Sequence, residues 1–308
     1  MSANNDILIT GASGFLGKVI NNYFRSNLNY QTVTIGRNGS VDIIYDIADT
    51  NATIDLPEGI NIVVHAAGKA HSVPKTEKEI QEFIDVNFIG TKNLCANFNK
   101  LITLPKYFVF ISTVAVYGVD KGEMITESHP LNGNTPYAIS KIKAEEYLTA
   151  WAISNNVTLT ILRLPLVAGH DAPGNLGAMI NGIKKGRYLS IGKADARKSV
   201  IWVDDVAKII SLIAPVGGTY NITDGRHPTF KELETVIANR LQKKNPLKVP
   251  AFLAAIFGLV GDMLGKRAPI NTNKLRKITS TLTFDDQKLH NAVDWTPLSV
   301  VEKLSQTL

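Results

Sequence analysis

The sequence is poor in cysteine, and it lacks both a long apolar leader and a dense block of basic residues. A single cysteine, Cys95, excludes an internal disulfide and is typical of a reducing compartment. Its neighbours predict a core position on a helix. Polar residues lead from Met1 directly into the apolar run at Ile7, without the basic and apolar parts of a secretion signal, so we expect a cytoplasmic protein.

The charge is basic but dispersed. A net charge of +6, spread along 308 residues, favours an acidic small molecule such as a phosphorylated ligand over nucleic acid. A hydrophobic content of 44% predicts a globular chain with a large core, either one α/β unit or two lobes. No metal site is expected.

A glycine-rich turn lies between an apolar run over 6–10 and a helical pattern over 18–25. Glycines allow the backbone to approach a pyrophosphate closely, and the following helix offers free amides and the positive end of its dipole. The sequence therefore predicts a dinucleotide-binding turn. Its candidate contacts are Gly11, Ser13, Gly14, Phe15, Leu16 and Gly17.

The second predicted strand, 31–35, ends at Gly36-Arg37, where an NAD site normally places an acid for the ribose. An arginine accommodates a 2′-phosphate, so the sequence favours NADP(H), with NAD(H) as the alternative. Arg37 stacked on the adenine is the other interpretation. After a short strand over 42–45, Asp46 and Ile47 are candidates for contact with the adenine, although a surface turn explains Asp46 almost as well.

The run 61–65 predicts a strand buried on both faces, and Ala66, Ala67 and Gly68 follow it with side chains small enough to admit a cofactor. Lys69 and His71 lie in the next loop, facing either a substrate or solvent. A long helix is predicted over 79–99. It contains Asn87, for which a bridge to a neighbouring backbone is the structural explanation.

The strand predicted over 107–113 ends in Ser112 and Thr113, at the edge where open α/β sheets bind ligands. Thr113 is thus a candidate partner for a substrate oxygen. Further along, Tyr137 and Lys141 are four residues apart at the start of a predicted helix, so they share one face. A nearby cation favours the phenolate, which makes Tyr137 a candidate acid/base; a solvated helix face is the alternative.

After Pro165 the alternation of strands and helices becomes irregular. We expect residues 1–165 to form a dinucleotide-binding Rossmann domain, to which 197–223 returns, and 166–308 to form mainly a substrate-binding lobe. The most apolar segment, 250–264, is too short to span a bilayer comfortably. It predicts a core or dimer helix; the alternative is peripheral membrane contact, for which the flanking Lys266 and Arg267 provide only a small basic patch.

Together these motifs resemble the extended short-chain dehydrogenase/reductase family, in particular the nucleotide-sugar epimerases, dehydratases and reductases, of which UDP-glucose 4-epimerase is one. The resemblance covers nearly the whole chain. It implies an α/β fold: a Rossmann-type doubly wound parallel sheet with a smaller, mostly α C-terminal substrate-binding lobe. The motifs that carry it are Thr10-Gly-Ala-Ser-Gly-Phe-Leu-Gly17, His65-Ala-Ala-Gly68, Val86-Asn87, Ser112-Thr-Val-Ala-Val-Tyr-Gly118, Tyr137-x-x-x-Lys141 and Arg197 to Asp204.

The resemblance also implies roles for single residues. Tyr137 is the expected acid/base, Lys141 is expected to bind the nicotinamide ribose and lower the pKa of the tyrosine, and Thr113 is expected to hold the reacting oxygen. The remaining expected contacts are Asn87 and Ser112 for the cofactor, and His71, Asn175 and Arg197 for the substrate, the last two for its diphosphate.

Departures from the family pattern narrow the expected function. Val114-Ala115 stands where dehydratases carry an Asp-Glu pair, and Leu166 stands where 4-epimerases usually carry an asparagine. A later diphosphate-binding arginine has no match over 279–283. We therefore expect a homodimeric, NADP(H)-preferring reductase of a 4-keto UDP-sugar. The alternatives are a UDP-hexose 4-epimerase and a non-enzymatic NAD(P)-binding regulator.

Overall fold

A central parallel sheet organises the chain, which is described by a computed structural model over residues 6–28, 30–264 and 271–307. The strands are β1 (Asp6–Thr10), β2 (Thr32–Gly36), β3 (Ile43–Ile44), β4 (Ile60–His65), β5 (Tyr107–Thr113), β6 (Gly122–Ile125), β7 (Thr158–Leu164), β8 (Leu166–Ala168), β9 (Leu189–Ile191), β10 (Val200–Trp202), β11 (Gly218–Asn221), β12 (Leu247–Val249) and β13 (Leu282–Phe284). The helices are α1 (Phe15–Asn27), α2 (Glu77–Ile84), α3 (Gly90–Phe98), α4 (Pro136–Asn155), α5 (Gly174–Lys184), α6 (Val203–Ile213), α7 (Phe230–Arg240), α8 (Ala251–Leu264), α9 (Thr272–Thr279), α10 (Gln287–Ala292) and α11 (Val300–Thr307).

Seven strands make up the central sheet in the order β11-β7-β5-β4-β1-β2-β3, and every pairing is parallel. The chain first builds outward from β1 through β2 to β3, and then restarts on the other side of β1 with β4. This reversal opens a crevice at the carboxyl ends of β1 and β4, where doubly wound sheets bind ligands. The predicted Rossmann-type fold is confirmed.

Alternate residues of the apolar strands enter cores on opposite faces of the sheet. In β4, Ile62 and Val64 belong to one core, together with residues of α1 and α6, whereas Val63 belongs to the other, together with residues of α3 and α4. Burial on both faces explains why the strand is a continuous apolar run. Cys95 is fully buried in the second of these cores, as predicted.

The helix predicted over 79–99 is divided in the structure. A π-helical turn, Asp85–Ile89, separates α2 from α3, and the amide of Gly90 donates to the carbonyl oxygen of Asp85. Such turns are rare and concentrate at functional sites. Here the turn contains Asn87, whose side-chain contacts are described below.

Between β7 and β11 the chain leaves the central sheet and contributes to a second body. Residues of α5, β8, β10, α7 and α11 form a separate apolar core, and short two-stranded sheets pair β8 with β10, β9 with β12 and β6 with β13. Within 197–223, β11 joins the central sheet and α6 packs beside α1, whereas β10 pairs with β8 and contributes to both cores, Ile201 to the first and Val200 and Trp202 to the other. The division at residue 165 stays a prediction.

Across the described part of the chain, no helix combines the length and the apolar character needed to cross a bilayer. Residues 1–5, on which the expectation of a missing secretion signal depends, lie outside the described residues, as do Lys266 and Arg267.

Candidate active site

Two glycines of the first turn occupy positions that exclude a side chain. Gly11 has a φ of +72°, and a Cβ there would lie 2.7 Å from the Cα of Ala67. A Cβ on Gly17 would lie 2.1 Å from the carbonyl oxygen of Gly11. These contacts bring β1, α1 and the end of β4 close together, because glycine alone permits such an approach.

The first turn of α1 offers an anion-binding cradle. Gly14, its N-cap residue, is extended and supplies no side-chain cap. The amides of Phe15, Leu16 and Gly17 have no hydrogen-bond partner among the residues that the structure describes. Three free amides at the positive end of a helix dipole fit a pyrophosphate, so this part of the chain is suited to a dinucleotide.

Arg37 lies where a 2′-phosphate of the cofactor is expected. Its exposed side chain makes no hydrogen bond or ion pair with residues 6–28, 30–264 or 271–307. The hydroxyl of Ser13 lies 3.5 Å from where a Cβ on Gly36 would be, so it borders the same corner. A cleft of about 660 Å³ runs from Arg37 and Asp46 to Gly68 and Lys69.

The two candidates for contact with the adenine differ in their surroundings. Asp46 is exposed and lines the cleft, and one of its carboxylate oxygens accepts the amide of Ala48 at 3.0 Å. Ile47 is buried, its side chain packs where a Cβ on Gly90 would lie at 2.8 Å, and its carbonyl accepts from Asn93. Asp46 therefore faces the cleft, whereas the side chain of Ile47 belongs to the core.

A chain of hydrogen bonds supports the floor of the cleft at Ala66 to Gly68. Thr91 donates its hydroxyl proton to the carbonyl of Asn87, so the Nε2 of His65, 2.9 Å away, must donate to Thr91. The Nδ1 of His65 then accepts from the hydroxyl of Thr10 at 2.7 Å, and Thr10 accepts the amide of Ala67. Burial, aided by the charge of Lys141, lowers the pKa of His65 to about 3, so the imidazole is neutral.

The roles of Thr10 and Thr91 in this chain of hydrogen bonds were not predicted from the sequence. The available signal was a histidine at the end of an otherwise apolar buried strand, because such a group needs polar partners.

Asn87 is buried and fully occupied by protein partners. Its Oδ1 accepts the amide of Lys69 at 2.7 Å, and its Nδ2 donates to the carbonyl of Lys69 at 3.0 Å and to the hydroxyl of Ser140 at 2.9 Å. The expected backbone bridge is present. Asn87 therefore shapes the Gly68 turn, and any contribution to cofactor binding acts through that shape.

Tyr137, Lys141 and Thr113 lie together next to this turn. Thr135 caps α4 by accepting the amide of Ala138, which places Tyr137 in the first helical turn. The hydroxyl of Thr113 is close enough to the phenol of Tyr137 to lower the pKa of that tyrosine. Lys141 lies close to Gly68, since a Cβ there would be 3.5 Å from its Nζ.

The electrostatics differ from the expectation that Lys141 lowers the pKa of Tyr137. Burial raises the pKa of Tyr137 to about 12, against a smaller lowering by Thr113. The ammonium of Lys141 donates to the carbonyl of Ile111 at 2.7 Å and lies 4.4 Å from the ring centre of Phe110. Burial lowers its pKa to about 8, and Glu145 opposes this shift. At neutral pH Tyr137 is thus a proton donor.

A buried ion pair lies next to the candidate catalytic residues. Ser112 is buried and donates to the carboxylate of Glu145, which also forms a 2.7 Å ion pair with Arg163. Arg163 donates in turn to the hydroxyl of Tyr117 at 3.1 Å. The hydroxyl of Ser112 therefore serves this network, and does not face the cleft as a cofactor contact would. Glu145 was not predicted as a site residue, although it follows Lys141 by four residues on the same helical face.

The expected substrate residues separate into two groups. His71 lies beside the start of α5, where a Cβ on Gly174 would be 2.8 Å from its Nδ1, so His71 and the exposed Asn175 are neighbours. Arg197 has different surroundings. Its guanidinium donates to the carbonyl of His227 at 3.2 Å, and its amide donates to Thr281.

Basic side chains gather around Asp120, just beyond the turn that follows β5. Arg276 and Lys277 lie 2.8 and 3.5 Å from its carboxylate. Lys198, whose pKa burial lowers to about 8, is close enough to interact with both Asp120 and Lys277. Arg276 and Lys277 were not predicted as site residues, because nothing in the polar pattern of α9 distinguishes them from ordinary surface residues.

Comparison with curated proteins finds relatives along most of the chain. It is 27% identical over 99% of its length, and 95% of the relative's, to the N-acetyl-alpha-D-glucosaminyl-diphospho-ditrans,octacis-undecaprenol 4-epimerase of Escherichia coli O157:H7. It is also 27% identical to the GDP-6-deoxy-D-mannose reductase of Pseudomonas aeruginosa, over 77% of this chain and 80% of the relative.

Among solved structures, RMD from Pseudomonas aeruginosa complexed with NADPH has the same fold, with a TM-score of 0.74 and 22% identity over 98% of this chain and 97% of that one. The sequence model of the NAD dependent epimerase/dehydratase family matches residues 7–223. The chain therefore belongs to this family of the extended short-chain dehydrogenase/reductase type, and its cofactor is NAD(P).

Proposed function

We propose that the protein is an NADP(H)-preferring oxidoreductase that acts on a sugar nucleotide, reducing the 4-keto group of a UDP-4-keto-6-deoxy sugar. The observation that carries this proposal is the hydroxyl pair of Thr113 and Tyr137 near Lys141, whose Nζ lies close to Gly68, a residue that lines the same cleft as Arg37. The pair can hold a carbonyl oxygen, and the cleft has the charge and the glycine turn that suit a phosphorylated dinucleotide.

The residues of the chain divide the chemistry between them. When bound, the cofactor supplies the hydride that reduces the carbonyl carbon. Tyr137, protonated at neutral pH, donates its proton to the oxygen as charge develops there, and Thr113 holds that oxygen by a hydrogen bond. A proton from solvent then restores the phenol of Tyr137, and the ammonium of Lys141, close to Gly68, is placed to bind the nicotinamide ribose.

A diphosphate on the substrate is supported by the basic side chains beyond β5. Lys198, Arg276 and Lys277 surround Asp120, and Arg197 precedes Lys198 in the chain. An arginine fork suits a diphosphate because it donates two parallel hydrogen bonds. We propose that these residues, with Asn175 and His71 at the start of α5, bind the sugar diphosphate.

A second candidate function is 4-epimerisation. It is favoured by the relative that matches 99% of this chain, which is named as a 4-epimerase of a sugar on undecaprenyl diphosphate. The same residues serve both reactions, because an epimerase oxidises and reduces the sugar carbon in one turnover on one bound cofactor. The two functions differ in the use of the cofactor: a reductase consumes external NADPH, whereas an epimerase reuses the cofactor that it retains.

The proposal is tested by replacing the proton donor. Tyr137→Phe should lower kcat for the 4-keto sugar by about 10²–10⁴-fold, because the general acid is lost, while NADPH still binds. Tyr147→Phe is the matched control, since this half-buried tyrosine lies on the same helix. Unchanged turnover in Tyr137→Phe would contradict the assignment and would favour a non-enzymatic cofactor-binding role.

The two candidate functions are separated by following the cofactor. A reductase consumes one NADPH for each 4-keto sugar reduced, measured as the loss of its absorbance. An epimerase interconverts its 4-hydroxy sugars with no added cofactor and retains tightly bound NAD through purification. Net epimerisation without external cofactor would overturn the reductase proposal in favour of the second candidate.

A further inference from the structure

The apolar helix α8 is oriented with its large side chains outward. Its buried positions carry small residues, namely Ala254, Gly258 and Gly261. The exposed positions carry large apolar side chains, with exposed fractions of 65% at Phe252, 37% at Leu253, 52% at Ile256, 56% at Phe257, 63% at Leu259, 47% at Val260 and 88% at Met263. This distribution is the reverse of a surface helix in a water-soluble domain, whose large apolar side chains face the core.

The small residues of α8 are already used by a neighbouring helix. A Cβ on Gly258 would lie 3.4 Å from the Cα of Thr272, at the start of α9, and 3.5 Å from the side chain of Leu275. Asp262, at the far end of α8, accepts the amide of Thr272 at 3.2 Å. With this side packed against α9, the large apolar side chains form a separate face, which we call the α8 face.

Exposed bases are frequent in the two segments that meet at the start of α8. The stretches 172–194 and 235–261 contain no acidic residue, and the pairing of β9 with β12 joins them. In that pairing the exposed Leu189 lies opposite the exposed Leu247, which extends the apolar surface. Eight bases in these stretches are all exposed: Lys184, Lys185, Arg187, Lys193, Arg240, Lys243, Lys244 and Lys248.

We propose that the α8 face and these bases dock the protein on the surface of a bilayer that contains anionic lipid. Contiguous exposed apolar surface on a helix marks an interaction site, and basic residues beside it are typical of helices that lie in the membrane interface. The 14 residues of α8 extend about 21 Å, less than the hydrocarbon core of about 30 Å, so the helix lies along the surface.

Charge distinguishes this partner from a second copy of the chain. Lys193 and Lys248 adjoin the start of α8, because β9 pairs with β12 and a Cβ on Gly192 would lie 3.5 Å from the side chain of Ala251. A dimer in which the α8 faces meet near this end would bring these bases of the two copies together, and Asp262 of α8 is already hydrogen-bonded to Thr272. Anionic headgroups supply the complementary charge, and acyl chains supply the apolar phase.

The full-length protein is tested by flotation with vesicles of phosphatidylcholine alone and with added phosphatidylglycerol. We expect flotation with the anionic vesicles, and a loss of at least about tenfold in partitioning for Phe252→Ser with Phe257→Ser, because two exposed aromatic anchors are removed. The matched control is Ile102→Ser with Ile153→Ser, which removes two apolar side chains exposed elsewhere, 93% and 77%, and should float as the parent does.

A second set of variants tests the basic residues. Lys243→Gln with Lys244→Gln and Lys248→Gln should weaken flotation with anionic vesicles, whereas the exposed lysines Lys78, Lys106 and Lys121, changed together, should not. Thermal melting and NADPH binding verify that each variant is folded. Absence of flotation by the folded parent, or equal loss in the apolar control, overturns the proposal. The proposal is also overturned if light scattering shows a dimer that only the α8 variant dissociates and the protein does not bind vesicles.

Discussion

The ammonium of Lys141 is buried, and the carboxylate of Glu145, one turn further along α4, favours its charged form. Burial lowers the pKa of the ammonium to about 8, and the carboxylate opposes that shift. Glu145 is itself buried and bound to Arg163 and Ser112. The pair therefore links the protonation of a candidate catalytic residue to a buried network that contains Ser112, Arg163 and Tyr117.

This link predicts a pH dependence. Since Lys141 loses its proton near pH 8, kcat/KM should fall as the pH rises through that value. In Glu145→Gln the carboxylate no longer favours the ammonium, so the pKa of Lys141 should fall further and the decline should move to lower pH, by about one unit. The measurement is the pH profile of kcat/KM for both proteins.

The adjacent Glu146→Gln is the control, because this residue is exposed on the same helix. Removing one member of a buried ion pair destabilises a fold, so Glu145→Gln combined with Arg163→Met provides a second variant without an unpaired charge. An unmoved profile in a folded Glu145→Gln protein would contradict the proposed link.

Arg37 provides a separate test of cofactor choice. If its guanidinium binds a 2′-phosphate, Arg37→Gln should weaken NADPH binding by about ten- to a hundredfold and leave NADH binding nearly unchanged, because a charged hydrogen bond is lost. Dissociation constants from fluorescence titration measure this. Arg25→Gln, at an exposed arginine near the end of α1, is the control, and equal losses for both cofactors would refute the role.

At the level of secondary structure, the π-helical turn carries Asn87, which joins it to the Gly68 turn. Its side chain satisfies both backbone groups of Lys69, 18 residues earlier in the chain. Asn87→Ala leaves these groups without a partner, which should lower the free energy of unfolding by about 1–3 kcal/mol. Urea denaturation measures the loss, and faster hydrogen exchange at the amide of Lys69 locates it. Gln81→Ala, at an exposed position in α2, should change neither quantity.

Elements with a strong local pattern were predictable from the sequence. The strand expected over 107–113 has those bounds in the structure, because its first five residues are an apolar run. The Tyr137 and Lys141 pair followed from helical spacing alone. The π-helical turn and the raised pKa of Tyr137 were not predictable, since they arise from contacts with distant segments and from burial, neither of which leaves a local pattern.

At the level of the whole molecule, the central sheet needs a strand from beyond the predicted domain boundary. β11 pairs with β7, and α6 supplies Val206, Ile209 and Ile210 to the core shared with α1. A fragment of residues 1–165 lacks both elements. It should therefore expose apolar surface, bind a hydrophobic dye and fail to bind NADPH, whereas the full chain binds NADPH. A soluble fragment that melts cooperatively would contradict this prediction.

Helix α5 carries a candidate substrate residue at its start and one of the proposed membrane-facing bases at its end. Asn175 lies at its start and Lys184 at its end, and its 11 residues extend about 16 Å. Docking through the α8 face would thus hold the candidate sugar site within about half a bilayer thickness of the headgroups. The expected homodimer stays a prediction, which light scattering of the same preparations measures.

The placement of β11 also has a consequence for the synthesis of the chain. Ribosomes deliver β7 first and then 53 further residues before Gly218, the start of its neighbour. At about 5–20 residues per second, this interval lasts about 3–10 s. Throughout it, the nascent protein displays the unpaired edge of an apolar strand, the kind of surface that aggregates unless a chaperone shields it. Slower translation prolongs that exposure, so the yield of folded enzyme depends on the pace at which residues 165–217 are made.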